Sequence, residues 1–337
     1  MLIKQRWRLR RMTVTAEKVL PPLRLGTHLG RYHLRRLLKR GGMSYLYLGY
    51  DNVALYPVAI KVMEACEPYH RLCLNEVHIM RSLQHKNIIR LLHYGQYKTY
   101  SYLVMPYISG GSLLERLAKG PLSPKQAGKV LYQLATALHY LHERRIVHCD
   151  IKPANILLED GHVYLADFGI ATFFAQKVID NGYIRGTPLY MAPEFYNGYA
   201  NMSCDVYALG VLLYEMLTGQ VPFWGVRAQE VYLKHTHIQP APPSELNSQL
   251  SSAIDDVVLR ALEKDPHKRF KNTIELAEAY TQAIRFSLVD GLQRLQTALK
   301  TCCMPVGRHI NVRQVSNDHS AHAGIAYPWQ WHNISDL

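Results

Sequence analysis

Residues 146–169 constrain the fold of this 337-residue chain more than any other stretch, because they place four polar side chains beside short apolar runs. These side chains are a base, a cation, an amide oxygen and a second carboxylate, supplied by Asp150, Lys152, Asn155 and Asp167. Groups of these kinds align a hydroxyl with a metal-bound phosphate. A lone His-x-Asp would be weak, since it occurs by chance in many chains, and the alternative for the stretch is two ordinary β-turns between strands. The full pattern, His-x-Asp-x-Lys-x-x-Asn with Asp-Phe-Gly 17 residues after the first aspartate, is far more specific.

Further motifs flank this stretch in a fixed order. Val58-Ala59-Ile60-Lys61 is a β-rich run that ends in a lysine, and Glu76 follows 15 positions later in a helix-like segment, Arg71 to Leu83. Met191-Ala192-Pro193-Glu194 comes after Asp-Phe-Gly, and Arg269 follows Glu194 by 75 positions. Together the motifs resemble those of eukaryotic-type (Hanks-type) protein kinases, most closely the bacterial serine/threonine kinases.

The resemblance implies an α+β, bilobal protein kinase fold, with a small β-rich N-lobe that carries one helix and a larger, mainly helical C-lobe. The expected kinase domain covers residues 32–285, with the N-lobe at about 32–105 and the C-lobe at about 109–285. Residues 1–31 are expected to form a basic, poorly ordered arm. Residues 286–337 are expected to hold a further helix, built on a leucine spacing from Leu288 to Leu299, and a polar tail.

An ATP site is implied between the lobes. A strand, a glycine-containing turn and a second strand would cover the phosphates, although Lys39 and Ser44 replace the first and third glycines of the family pattern. By the resemblance Met105 would line the adenine pocket, and the backbone that follows it would bond the purine. The sequence alone is equally consistent with Met105 as a plain core residue. The expected nucleotide-binding residues are Leu38, Lys39, Gly41, Gly42, Met43, Ser44, Leu46, Ala59, Lys61, Glu76, Met105, Tyr107, Ile108 and Asp167.

The resemblance also implies a role for each polar residue of the catalytic loop. Asp150 would orient the substrate hydroxyl and accept its proton, while Lys152 would neutralise the moving phosphoryl group. Asn155 and Asp167 would hold Mg²⁺. Lys61, fixed by Glu76, would hold the α and β phosphates.

Two flanking residues have structural roles by the same resemblance. Asp205 would anchor the backbone of the catalytic loop from a buried helix. His148 would brace that loop without titrating.

The implied activity is transfer of the γ-phosphoryl group of ATP to Ser/Thr hydroxyls of proteins, with autophosphorylation as one outcome. Lys152 in Asp-Ile-Lys-Pro-Ala-Asn and Thr187 before Ala-Pro-Glu are typical of serine/threonine kinases. The main alternative is a pseudokinase that binds nucleotide as a scaffold, which Lys39 and Ser44 suggest. A small-molecule phosphotransferase would share the Asp and Asn pattern but not the Ala-Pro-Glu segment.

Cys149 stands where this family usually has an arginine that receives an activation-loop phosphate. A cysteine offers no such cation. We therefore predict that activity does not depend strongly on phosphorylation at Thr172 or Tyr183. A redox role for Cys149 is the alternative, and it would require a lowered thiol pKa.

The formal net charge of +13 is concentrated near the N-terminus, where residues 1–31 hold eight lysines or arginines and one glutamate. Such a block is usually a solvated tail, and the alternative is contact with anionic membranes or nucleic acid. The six cysteines show no C-x-x-C pair, which favours reduced thiols and a cytoplasmic location. The longest apolar run, Val206 to Tyr214, is shorter than the roughly 20 residues of a spanning helix, so no membrane span is predicted.

Overall fold

The computed structural model describes residues 22–41, 44–67, 69–174, 179–180, 183–184, 186–198 and 200–286. The chain divides into a unit that ends at Gly291 and a second unit, Leu292–Leu337, which lies outside the described residues. The predicted leucine-spaced helix and the aromatic cluster Tyr327 to Trp331 also lie outside them. No helix in the described part of the chain is long and apolar enough to cross a membrane.

The N-terminal part is one antiparallel sheet of six strands in the order β1-β2-β3-β4-β6-β5. Burial alternates along β3, so that every second residue from Tyr45 to Asp51 faces the interior, as expected from the pleat of a strand. One helix, α1, packs beside this sheet. The elements are β1 (His28–Leu29), β2 (Tyr32–Arg40), β3 (Ser44–Asp51), β4 (Tyr56–Glu64), α1 (Tyr69–Arg81), β5 (His93–Tyr97) and β6 (Tyr100–Pro106).

The last ten residues of the expected N-terminal arm are part of this lobe, so the prediction of a poorly ordered arm up to residue 31 is wrong for residues 22–31. β1 pairs with β2, and Leu29 is buried. The hydroxyl of Tyr47 donates to the carbonyl of Leu23 at 3.1 Å. Leu29 and Tyr47 belong to a separate apolar cluster on this sheet, and Leu23 packs against that cluster. Residues 22–31 therefore contribute to the core of the lobe.

The C-terminal part is mainly helical. Its long helix α3 begins with a capping box, in which the Ser123 side chain accepts from the Gln126 backbone and the Gln126 side chain accepts from the Ser123 backbone. α4 is buried along nearly its whole length and forms the centre of the larger core. The helices are α2 (Leu113–Leu117), α3 (Pro124–Glu143), α4 (Met202–Thr218), α5 (Ala228–His237), α6 (Pro243–Leu246), α7 (Ser252–Ala261) and α8 (residues 273–286).

Short strands and 3₁₀ turns between α3 and α4 carry the polar residues of interest. β7 pairs with β10 and β8 pairs with β9, so the two loops that hold Asp150 and Asp167 are fixed by hairpin-like pairing. The elements are β7 (Ile146–Val147), β8 (Ile156–Glu159), β9 (His162–Leu165), β10 (Thr172–Phe173), β11 (Ile179–Asp180), β12 (Tyr183–Ile184) and 3₁₀ turns at Pro153–Asn155, Pro188–Tyr190, Pro193–Asn197 and Pro266–Lys268. This β-rich half followed by a helical half confirms the expected α+β class.

Candidate active site

The loop after β7 gathers polar side chains around the carboxylate of Asp150. Its Oδ2 accepts hydrogen bonds from the Lys152 ammonium at 2.5 Å and from the Asn155 amide nitrogen at 2.9 Å. The Asn155 amide also donates to the backbone carbonyl of Asp150 at 2.9 Å, which closes the loop on itself. The structure thus brings together the three residues that the sequence motif singled out.

Thr187 joins this network from the segment that precedes Ala-Pro-Glu. Its hydroxyl donates to Oδ1 of Asp150 at 2.8 Å and accepts from the Lys152 ammonium at 2.8 Å. Gly186 beside it has φ of +126°, a conformation that side chains rarely adopt, and a Cβ there would meet the Met191 side chain at 2.6 Å. The Gly-Thr pair therefore lets the segment approach Asp150 closely.

A buried carboxylate holds the backbone of this loop in place. Asp205, in the first turn of α4, accepts hydrogen bonds from the backbone N–H groups of His148 and Cys149 at 2.9 and 3.0 Å. The imidazole of His142 lies 2.9 Å from the same carboxylate. Burial alone would raise the pKa of Asp205, but these hydrogen bonds, that of His142 first, keep it below its ordinary value.

His148 itself is fully buried and packs its ring edge-on against Phe168, with 5.0 Å between ring centroids. Burial lowers the pKa of this imidazole, which favours its neutral form. Its Nδ1 accepts a hydrogen bond of 3.3 Å from the backbone N–H of Asp150. These contacts are with the fold, in keeping with a bracing role.

A second cluster joins residues that lie far apart in the sequence. The Lys61 ammonium on β4 lies 2.8 Å from both carboxylate oxygens of Glu76 on α1 and 2.8 Å from Oδ1 of Asp167. Glu76 is almost wholly buried, whereas about half of the Asp167 side chain is exposed. A Cβ at Gly169 would stand 3.3 Å from Oδ1 of Asp167 and 3.4 Å from the Lys61 ammonium, so the glycine of Asp-Phe-Gly lies directly beside this cluster.

The electrostatics of this cluster follow from one cation between two carboxylates. Lys61 holds the pKa of Asp167 well below its usual range. Burial would lower the pKa of Lys61, but Asp167 and Glu76 outweigh it and raise that pKa. Burial raises the pKa of Glu76 despite the adjacent ammonium. Lys61 thus stays charged, and Asp167 is ionised over the whole physiological range.

The expected nucleotide-binding residues lie on the strands and linker around this cluster. Leu46 on β3 pairs across the sheet with Lys39 on one side and Lys61 on the other. Ala59 pairs with Met105, which is buried in the main core. Of the remaining expected residues, Leu38, Gly41 and Ser44 flank the glycine turn, Tyr107 and Ile108 follow β6, and Gly42 and Met43 lie outside the described residues.

The departure from the glycine pattern at Lys39 is compatible with the backbone found here. Lys39 is an exposed residue of β2 and has no positive φ. A side chain is therefore accommodated at this position without backbone strain. Gly41 donates its N–H to the carbonyl of Ser44 at 2.8 Å, which closes the turn.

Comparison with known proteins identifies the family of this chain. Residues 32–281, about three quarters of the chain, match the protein kinase domain family. The chain belongs to the protein kinase family. The expected resemblance to this family is thereby confirmed.

Three curated relatives are bacterial serine/threonine-protein kinases. This kinase is 34% identical to serine/threonine-protein kinase PrkC of Bacillus subtilis over 73% of the chain and 39% of that protein. It is 35% identical to PknB of Mycobacterium tuberculosis over 74% of the chain and 42% of that protein, and 36% identical to PknH over 77% and 43%. The chain thus spans about two fifths of the length of these relatives. Their names support a serine/threonine kinase domain and give no support to the pseudokinase alternative.

Kinases of this family use ATP and Mg²⁺, and the donors present here fit such an ion. The side-chain nitrogen of Asn155 donates to Asp150, so this contact does not occupy the side-chain oxygen. The Ala166 N–H donates to the backbone carbonyl of Asn155 at 2.9 Å. This bond holds the residue before Asp167 against Asn155. Amide and carboxylate oxygens are the ligands that Mg²⁺ prefers. Among the described residues no group of three His, Cys, Asp or Glu side chains could hold a metal.

Arg269 ties the Ala-Pro-Glu segment to the rest of the domain. The Arg269 guanidinium forms two parallel hydrogen bonds with the Glu194 carboxylate, at 2.6 and 2.9 Å. It also donates to backbone carbonyls, among them that of Ser203 at 3.0 Å. Arg269 is fully buried, so its donors are satisfied within the fold.

Sequence reasoning missed three residues that hold this site. His142 contacts Asp205, and its signal was its place in the apolar stripe of α3, four residues after Leu138. Asn75 on α1 donates to the carbonyl of Ala171 at 3.0 Å and had no signal in the sequence. His235 on α5 contacts the carbonyl oxygen of Leu189, two residues after Thr187, and belongs to none of the family motifs.

Proposed function

We propose that this chain is a serine/threonine protein kinase that transfers the γ-phosphoryl group of ATP to Ser/Thr hydroxyls of proteins. The observation that carries the proposal is the hydrogen bonding of Asp150. Its Oδ2 has two donors, Lys152 and Asn155, whereas its Oδ1 has one, Thr187. Since a carboxylate oxygen accepts about two hydrogen bonds, Oδ1 keeps a position for a substrate hydroxyl.

The chain's own residues then divide the work. Asp150 orients the incoming hydroxyl through Oδ1 and receives its proton. Lys152, whose ammonium lies 2.5 Å from Oδ2, supplies positive charge that neutralises the moving phosphoryl group. Lys61, fixed by Glu76, offers its ammonium to the α and β phosphates.

Mg²⁺ would be held by Asn155 and Asp167 and, when bound, would neutralise charge on the phosphate oxygens. The low pKa of Asp167 keeps this carboxylate ionised and ready for the cation. The glycine turn, Leu46, Ala59, Met105 and the linker at Tyr107 and Ile108 would enclose the nucleotide base and phosphates.

Three finer proposals accompany this activity. The kinase phosphorylates itself as well as other proteins. It works in the cytoplasm, which is supported by a sequence whose six cysteines form no C-x-x-C pair. Its basic N-terminal residues bind anionic surfaces, a proposal that the net charge of +13 supports. Deletion of residues 1–28 should then weaken salt-dependent binding to anionic vesicles or DNA.

The test is Mg·ATP-dependent incorporation of ³²P into histone and into the protein itself, with Asp150→Asn as the matched control. The asparagine variant keeps the shape of the side chain but cannot take up the proton, so incorporation should fall at least about 100-fold. Equal incorporation by the two proteins would contradict the kinase proposal and favour a nucleotide-binding scaffold.

A further inference from the structure

A buried histidine lies behind the segment that connects the catalytic loop with Ala-Pro-Glu. His235, on α5, has no exposed surface. Its Nε2 lies 3.2 Å from the carbonyl oxygen of Leu189, in the middle of the turn Pro188–Tyr190. Its Nδ1 lies 2.8 Å from the hydroxyl of Tyr207 on α4. The imidazole therefore links α4 to this turn.

The partners of His235 fix which nitrogen carries the proton. A backbone carbonyl can only accept, so Nε2 must donate to Leu189, and Nδ1 must accept from the Tyr207 hydroxyl in the neutral ring. Burial, and secondarily the Lys264 ammonium, lower the pKa of His235 to about 3. The neutral ring with its proton on Nε2 is thus the form present at physiological pH.

Aromatic rings and cations enclose this imidazole. Phe223 and Tyr207 pack edge-on against it, with centroid separations of 5.0 and 5.6 Å. The Lys264 ammonium lies 4.4 Å from the centre of the Phe223 ring, and the Arg269 guanidinium lies 4.7 Å from that of Tyr207. Such packing leaves the ring little freedom to rotate away from Leu189.

The held turn begins next to the reacting groups. Thr187 contacts both Asp150 and Lys152, and Leu189 follows it by two residues, which span at most about 7 Å of chain. A peptide that presents its hydroxyl to Oδ1 of Asp150 must therefore lie alongside this turn. The conformation of residues 187–190 decides how well the peptide fits.

We propose that His235 is a positioning residue that fixes the turn Thr187–Tyr190 for the protein substrate, by donating one hydrogen bond to the carbonyl of Leu189. The proposal rests on the proposed kinase activity. His235 acts through the turn and touches neither the nucleotide nor the reacting atoms.

The test compares His235→Ala, His235→Gln and His237→Ala in the full chain, with KM for histone and KM for Mg·ATP measured separately. His237 is an exposed histidine on the same helix and serves as the matched control. In His235→Ala the KM for histone should rise about tenfold while the KM for Mg·ATP stays the same, as expected when one hydrogen bond is lost from the substrate side. His235→Gln can still donate to Leu189 and should recover most of this loss.

Melting temperatures of the variants guard against a general loss of folding, and His235→Gln provides the readout if His235→Ala does not fold. The proposal is overturned if histone KM is unchanged in His235→Ala, if KM for Mg·ATP rises in parallel, or if the glutamine variant, once folded, fails to restore histone KM. A separate result is that the wild type incorporates no more ³²P than Asp150→Asn. That result would overturn the kinase proposal and this inference with it.

Discussion

At the scale of single residues, the hydroxyl of Thr187 is the link between the substrate side and the catalytic loop. It donates to Asp150 and accepts from Lys152, both at 2.8 Å. Thr187→Val keeps the volume of the side chain but removes both hydrogen bonds, so kcat/KM for histone should fall about 10- to 100-fold, as for hydrogen bonds to charged groups. Thr187→Ser keeps the hydroxyl and should retain most activity. Similar kcat/KM values for the valine and serine variants would show that the hydrogen bonds of the Thr187 hydroxyl do not contribute to catalysis.

A second residue, Lys264, should affect stability in a pH-dependent way. Its ammonium is buried without a hydrogen-bond partner among the described residues, and burial lowers its pKa to about 8. In the unfolded chain a lysine titrates near about 10.4, so between these values the unfolded state binds more protons and the folded state gains stability as pH rises.

Lys264→Met should therefore raise the melting temperature at pH 7, where the wild type buries a charged amine, and this gain should shrink towards pH 10. Differential scanning calorimetry at both pH values measures the effect. Lys268→Met, at an exposed lysine in the same region, is the control and should change little. A gain that is independent of pH would point to packing instead of charge.

At the scale of elements, the ion pair between Arg269 and Glu194 joins the end of the Ala-Pro-Glu segment to the region after α7. Arg269 is fully buried, and its loss would leave Glu194 and several backbone carbonyls without their donor. Arg269→Met should lower the free energy of unfolding by about 3–5 kcal/mol. Arg260→Met removes a partly exposed ion pair with Glu275 and should cost below about 1 kcal/mol. Urea denaturation of both variants makes the comparison, and equal costs would contradict it.

The sequence predicted elements best where local chemistry decides them. The start of α3 is indicated by its capping residues alone, Ser123, Pro124 and Gln126, and the helix begins at Pro124. α1 begins at Tyr69, two residues before the expected Arg71, since its first turn has no such signal. The fixed position of residues 22–31 could not be predicted, because it depends on a strand of two residues and on a bond from Tyr47, 24 positions away.

The same distinction applies to the site at the scale of the whole molecule. Lys61, Glu76 and Asp167 could be predicted to meet only because their motifs resemble a known family, since a span of 106 residues carries no local signal. His235 belongs to no motif, and its contact with Leu189 arises from how α5 packs against the turn. Roles that depend on packing of this kind become visible only in three dimensions.

The whole molecule also bears on how the kinase is switched on. The Lys61–Glu76 pair and the Asp150–Lys152–Thr187 network are both formed in the unmodified chain. Cys149 supplies no cation for an activation-loop phosphate, and burial raises the pKa of its thiol well above the usual value, which disfavours a reactive thiolate. These contacts agree with an active site that is complete without phosphorylation.

Phosphatase-treated kinase, shown by mass spectrometry to carry no phosphate, should therefore phosphorylate histone with an initial rate within about twofold of the untreated protein, because no phosphate–arginine contact has to form. Initial rates without a lag are the decisive measurement, since self-phosphorylation would otherwise restore the modified form during the assay. Cys149→Arg is the informative companion variant: it restores a cation beside the loop and should make the rate depend on phosphorylation. A lag in the treated wild type that shortens with preincubation in Mg·ATP would contradict the prediction.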